Sequence, residues 1–123
     1  MIFNFRKFIK SGGYALEGLK SALSEQTFRI FSLVALMVIV LMFLFKVSLY
    51  EKLILILITT FVMTLELINS RIERILDIFQ PNHDPRVKII KDISAGAVLL
   101  ACLGASIIGI LIFWPYFMKM GRF

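Results

Sequence analysis

Three long apolar stretches, residues 28–45, 53–72 and 93–117, divide the chain, and polar residues gather between them. A hydrocarbon core needs about 20 apolar residues in a row. Each stretch reaches or approaches that length, the first by borrowing Val47, Leu49 and Tyr50 at its far end. The pattern predicts spans over residues 28–48, 53–72 and 93–117, with the second continuing as helix to about residue 79. Residues 1–25 read differently. Phe3, Phe5, Phe8 and Ile9 sit among Arg6, Lys7 and Lys10, and Leu16, Leu19 and Leu23 then share one face. Such a segment is an amphipathic helix lying on a membrane surface. Ser11-Gly12-Gly13 is expected to weaken or kink it, and Ser24 to cap the helix that becomes span one. Residues 46–52 form a short outer turn, and the run Pro81, Asn82, His83, Asp84, Pro85 must end the second helix.

Composition narrows the class. Of 123 residues 59% are apolar, and the mean hydropathy is +0.90. That excludes an ordinary soluble domain and leaves one all-α integral membrane domain, three transmembrane helices plus an N-terminal amphipathic surface helix. Residues 1–29 lack the apolar core of a cleaved secretory signal. The single Cys102 falls mid-span, where packing is the ordinary role.

The net charge of +6 raises the question of nucleic acid, and the placement of the charges answers it. Arg6, Lys7, Lys10, Lys20 and Arg29 precede span one, and Arg71, Arg74, Arg86, Lys88 and Lys91 flank the connection between spans two and three. The other ends carry only Lys46 with Lys52 and Lys119 with Arg122. Positive residues stay on the cytoplasmic side. The N-terminus and the 70–92 segment are therefore expected in the cytoplasm and the C-terminus outside. No nucleic-acid partner is expected. Trp114 and Tyr116 mark the outer interface. Ala97, Ala101, Ala105 and Gly109 make a small-residue stripe along span three that lets another helix approach closely.

One residue breaks the apolar pattern. Glu66 continues directly from the run 53–65, and an intramembrane carboxylate is a functional-site candidate by default. Asn69, Glu73 and Asp77 follow it at roughly 300°, 340° and 20° around the helix, on one narrow stripe. Glu25 precedes span one and Asp92 begins span three, so all three spans bring an acid to the same face. Mg²⁺ takes one or two protein carboxylates together with substrate phosphates, and Glu25 and Glu73 from different helices suit it. Lys91 suits phosphate oxygens as a point charge. Glu66, deeper and partly desolvated, suits a general base toward a hydroxyl presented from within the bilayer, with Asn69 one turn on to orient it. Plainer roles stand beside these. Glu25 and Arg29 have the spacing of an ordinary i,i+4 pair, Glu73 with Arg74 or Asp77 suits a solvated helix end, and Glu66 with Lys91 or Asn69 suits a buried structural pair. The competing class is a small oligomeric membrane transporter using Glu66 as a proton- or cation-coupled acid. No G-x-x-x-x-G-K-[ST] phosphate loop is present.

The segment from Glu66 to Asp77 resembles the signature E-x-[LIVM]-N-[ST]-[SA]-[LIV]-E-x-x-V-D of the prokaryotic diacylglycerol kinase family, small three-span lipid kinases that include undecaprenol kinases. It departs at Arg71, where the pattern has a small residue, and at Leu76, where it has Val. Arg71 lies about 140° around from Glu66, off the acidic stripe, and is expected to snorkel to the interface. Tyr14 with Gly18-Leu19-Lys20, Glu25 with Phe28-Arg29, and Lys91-Asp92 with Ala95-Gly96-Ala97-Val98 resemble further family segments in the expected order. The loop His83-Asp84-Pro85 and the tail 107–115 are more similar to the undecaprenol kinase branch. The resemblance implies ATP- and Mg²⁺-dependent phosphorylation of undecaprenol or diacylglycerol at the cytoplasmic face of a bacterial inner membrane. It implies Glu66 as catalytic base and Glu25 and Glu73 as metal-binding acids. It also implies Asn69, Lys91 and Asp92 near the nucleotide, with contributions from Tyr14 and Arg29, in a homotrimer with sites between protomers.

Overall fold

The structure, a computed structural model, describes residues 2–121; Arg122, counted above among the charges of the outer end, lies outside them. Four helices follow one another: α1 (Phe5–Ala22), α2 (Gln26–Leu44), α3 (Leu49–Phe79) and α4 (Pro85–Met120). There is no strand among the described residues.

The last three helices are long and apolar enough to cross a membrane. At 1.5 Å per residue α2 is about 28 Å long, close to a hydrocarbon core of about 30 Å, whereas α3 and α4, at about 46 and 54 Å, must project beyond it. The chain exposes 9911 Å², against about 6,700 Å² for a compact soluble monomer of its mass. Lipid and neighbouring helices must cover the difference, as in a membrane protein.

Local chemistry sets the helix ends. Ser48 and Glu51 form a reciprocal cap on α3. The Glu51 amide donates to Ser48 Oγ at 3.3 Å and the Ser48 amide to Glu51 Oε1 at 3.0 Å. Lys46 turns the chain between α2 and α3 with φ +51°. Asp84 caps α4 by accepting from the Arg86 amide at 2.9 Å, with Pro85 in the first turn. Two expectations change. First, α1 runs unbroken through Gly12 and Gly13. Each glycine weakens a helix by only about 1 kcal/mol, and the turns on either side, capped by Asn4 at the start, carry it through. Second, Ser24 does not cap α2. Its hydroxyl donates to the Ser21 carbonyl at 2.7 Å, and Glu25 takes the cap position without a side-chain cap hydrogen bond. The Glu25 carboxylate is engaged elsewhere.

α3 is the central helix, with α4 packed along it most extensively and α2 less so, while α1 makes no extensive interface. The densest core lies at the end where α2 turns into α3. There Met42, Val47, Leu55 and Phe113 are buried, flanked by Phe45 and Tyr116. The Phe45 ring meets Phe117 edge-on at 4.8 Å. The small-residue stripe of α4 is not a tight seam within one chain at its Gly109 end, because a Cβ there would meet nothing within 4 Å. The opposite end of the bundle, where α2 begins and α3 ends, carries Glu25, Glu73, Asp77 and Asp92.

Candidate active site

The polar residues buried in the bundle are Glu66 and Asn69, at 6% and 8% exposure, both on α3. One helical turn separates them, so they share a face. Asn69 and Glu73 are the polar neighbours of the Glu66 carboxylate, and Cys102 of α4 lies within its electrostatic reach. Asn69 Oδ1 is buried without a hydrogen-bond partner. An orphaned acceptor in an apolar setting is expensive, so this position is prepared for a donor that arrives with something else. An apolar groove of about 400 Å³ between α3 and α4 runs past Asn69 and is lined also by Ile68, Ile93, Ser94 and Ala97. A larger cavity of about 720 Å³ among α2, α3 and α4 contains none of the candidate residues, although Cys102 lies on its wall.

Beyond Asn69 the groups are ionic and wetter. The Glu25 carboxylate, at the start of α2, pairs with the Arg71 guanidinium on α3. Arg71 is braced in turn, its Nε donating to Ser70 Oγ at 3.4 Å while that hydroxyl donates to the Leu67 carbonyl at 2.9 Å. Lys91 of α4 pairs with Asp77 of α3, not with Glu66. Lys88 bonds Asp92 at 2.7 Å along α4, which holds the Lys88 ammonium above the ordinary lysine value. In the connecting loop, Arg86 reaches Asp84 at 2.9 Å and holds that carboxyl below the ordinary range. Glu73 is exposed and makes no ion pair among the described residues.

The arrangement sorts the residues singled out in the sequence. Glu66 and Asn69 come together in the apolar part of α3. Glu25 and Lys91 are both drawn to its polar end, onto turns that flank Glu73. Asp92 is occupied by Lys88. Arg29 is exposed and does not pair with Glu25, and Tyr14 is exposed on α1. The residues missed are Arg71, Ser70 and Asp77 as partners. Asp77 was visible as the last member of the acidic stripe, whereas nothing in the spacing pointed from Arg71 to Glu25. Among the described residues no three His, Cys, Asp or Glu side chains converge as a metal cluster. Glu25, which meets α3 two residues before Glu73, and Glu73 itself are of the donor type that Mg²⁺ takes, one or two carboxylates with phosphates and water completing the shell.

Comparison with known proteins gives a consistent answer. Residues 13–113 match the family described as prokaryotic diacylglycerol kinase. The chain is similar to an undecaprenol kinase of Bacillus subtilis, 36% identical over 110 residues that cover 89% of each chain. It is similar to a diacylglycerol kinase of Escherichia coli K12, 30% identical over 114 residues, 92% of this chain and 93% of the relative. A diacylglycerol kinase of Synechocystis is 37% identical over 99 residues, 78% of this chain and 56% of that longer protein. These matches favour the kinase over the transporter. The chain belongs to the prokaryotic diacylglycerol kinase family and is a lipid kinase.

Proposed function

We propose that the chain moves the γ-phosphoryl group of ATP onto the hydroxyl of undecaprenol or diacylglycerol at the cytoplasmic face of a bacterial inner membrane. The observation that carries this reading is the buried Glu66–Asn69 pair. It puts an unpartnered amide oxygen on the wall of an apolar groove and a buried carboxylate one turn before it, on a helix whose next two turns carry exposed acids.

A lipid alcohol lies with its chain along the α3–α4 groove and its hydroxyl at Glu66. The Asn69 side-chain amide orients that hydroxyl by donating an N–H to its oxygen, which leaves the hydroxyl proton to Glu66. Glu66 accepts its proton as the oxygen attacks the γ-phosphorus; the bond from that phosphorus to the bridging oxygen breaks, and ADP leaves. Lys91 exchanges Asp77 for a phosphate oxygen. Arg29, Asp92 and Tyr14 position the nucleotide from α2, α4 and α1. Glu25 and Glu73 would hold Mg²⁺, which would neutralise phosphate charge. Positioning and electrostatics carry most of the catalysis, as is general for phosphoryl transfer. The positive-residue bias supports a cytoplasmic N-terminus and an outer C-terminus. The unfilled space beside Gly109, on the small-residue stripe, supports assembly as a homotrimer with sites between protomers.

The test is transfer of labelled γ-phosphate from ATP by the purified protein in vesicles that contain either undecaprenol or diacylglycerol. Label in one of the two lipids, dependent on Mg²⁺, is expected. Absence of label in both overturns the assignment of substrate. The 36% identity to the undecaprenol kinase, against 30% to the diacylglycerol kinase of Escherichia coli, makes undecaprenol the first lipid to try.

A further inference from the structure

Glu25 occupies a helix cap position yet does not cap. Its carboxylate crosses to α3 and meets Arg71, which stands between Asn69 and Glu73 in the chain and is braced by Ser70. Both partners remain partly exposed, at 54% for the Arg71 side chain and 35% for Glu25. An ion pair that open to water adds little to stability and exchanges easily. Its position gives it a different use. Glu25, Glu66, Glu73 and Asp77 bring four carboxylates to the α2–α3 end of the bundle, and Asp77 already has Lys91. Glu25 meets α3 two residues before the exposed Glu73, and without the Arg71 cation its carboxylate would have no partner there. The family pattern has a small residue at position 71, so this cation is a feature of the chain itself.

We propose that Arg71 is a resident counter-ion for Glu25. It holds that carboxylate at α3 while no divalent cation is bound and gives way when one binds, so that metal binding is an exchange of one cation for another. This rests on the reading of Glu25 as a metal-binding acid. Arg71 is a positioning residue and touches neither substrate. Two consequences follow from simple competition. Removing the Arg71 charge strengthens divalent-cation binding, and the gain disappears when Glu25 is neutralised.

The experiment titrates Mn²⁺ into detergent-solubilised, nucleotide-free protein and reads the free ion by electron paramagnetic resonance. Arg71→Ser and Arg71→Gln are expected to bind Mn²⁺ about two- to fivefold tighter than the unsubstituted chain, the range an exposed ion pair allows. Arg71→Lys keeps the charge and should stay close to the unsubstituted affinity. In a Glu25→Gln background the Arg71 substitutions should change nothing. The two neutral variants guard against one that fails to fold, and thermal unfolding of each confirms an intact bundle. Equal affinities with and without Arg71, a gain that persists in Glu25→Gln, or no saturable Mn²⁺ binding overturns the proposal. Lipid labelling is scored separately, so a chain that phosphorylates lipid yet shows no Arg71 effect sinks this inference and leaves the kinase reading intact.

Discussion

The phenol of Tyr116, on α4, donates a 2.6 Å hydrogen bond to Oε1 of Glu51, on α3. The same carboxylate oxygen accepts the Ser48 amide, so one acid caps α3 and ties it to α4. The Tyr116 bond, then the Ser48 amide, holds the Glu51 carboxyl below the ordinary glutamate value. A carboxyl depressed on folding contributes stability that is complete above its unfolded pKa and is lost as pH falls through its folded one. Unfolding midpoints in detergent should therefore fall between about pH 5 and about pH 3. Tyr116→Phe should flatten that fall and lower the midpoint at neutral pH, and an unchanged pH profile would count against the bond.

Leu55 is 2% exposed within the core at the α2–α3 turn, and Leu100 is 72% exposed on α4. In water, Leu→Ala in a core costs roughly 2–5 kcal/mol, part transfer and part cavity. In a bilayer the transfer part largely vanishes because lipid is as apolar as leucine. Leu55→Ala should still cost roughly 1–3 kcal/mol through lost packing, and Leu100→Ala under about 0.5 kcal/mol. Denaturant titration in mixed micelles compares them directly.

Glu66→Gln preserves shape and removes the proposed base. The turnover rate should drop about 10²- to 10⁴-fold, the usual contribution of general-base catalysis, with the KM for ATP nearly unchanged. A folded Glu66→Gln protein with full lipid phosphorylation would remove Glu66 from that role.

Asp77 pairs with Lys91. If Lys91 must leave it to meet phosphate, Asp77→Asn should lower the KM for ATP about two- to fivefold and leave turnover within about twofold. Steady-state kinetics on both proteins decide the matter, and a raised KM would show that Asp77 assists Lys91 instead of competing for it.

Much of the fold was written in hydropathy, because a bilayer demands long uninterrupted helices and punishes any polar group within them. Glu66 and Asn69 were conspicuous for that reason. Angular position along α3 was equally legible, since 100° per residue needs no tertiary information. That periodicity says how a residue lies around its own axis and nothing about which neighbouring helix it meets. Glu25 has Arg29 at ideal i,i+4 spacing yet pairs with Arg71, a residue 46 positions away. Lys91 suited the buried Glu66 on paper and meets Asp77, which lies nearer water, where an ammonium remains hydrated. The same limit explains α1. Gly12-Gly13 reads as a break from local propensity, but the hydrogen bonds of flanking turns outweigh two glycines.

The packing of this bundle is lopsided. Met42, Val47, Leu55 and Phe113 lock the three long helices together at one end, while the other end is joined across helices by the Glu25–Arg71 and Lys91–Asp77 pairs. The connection 80–84 tethers α3 to α4 at that same end, so of the two charge pairs only Glu25–Arg71 bridges helices that no short loop joins there. On the reading proposed above, that pair is the one fastening an incoming cation would undo, and the α3–α4 hairpin beside it would stay closed.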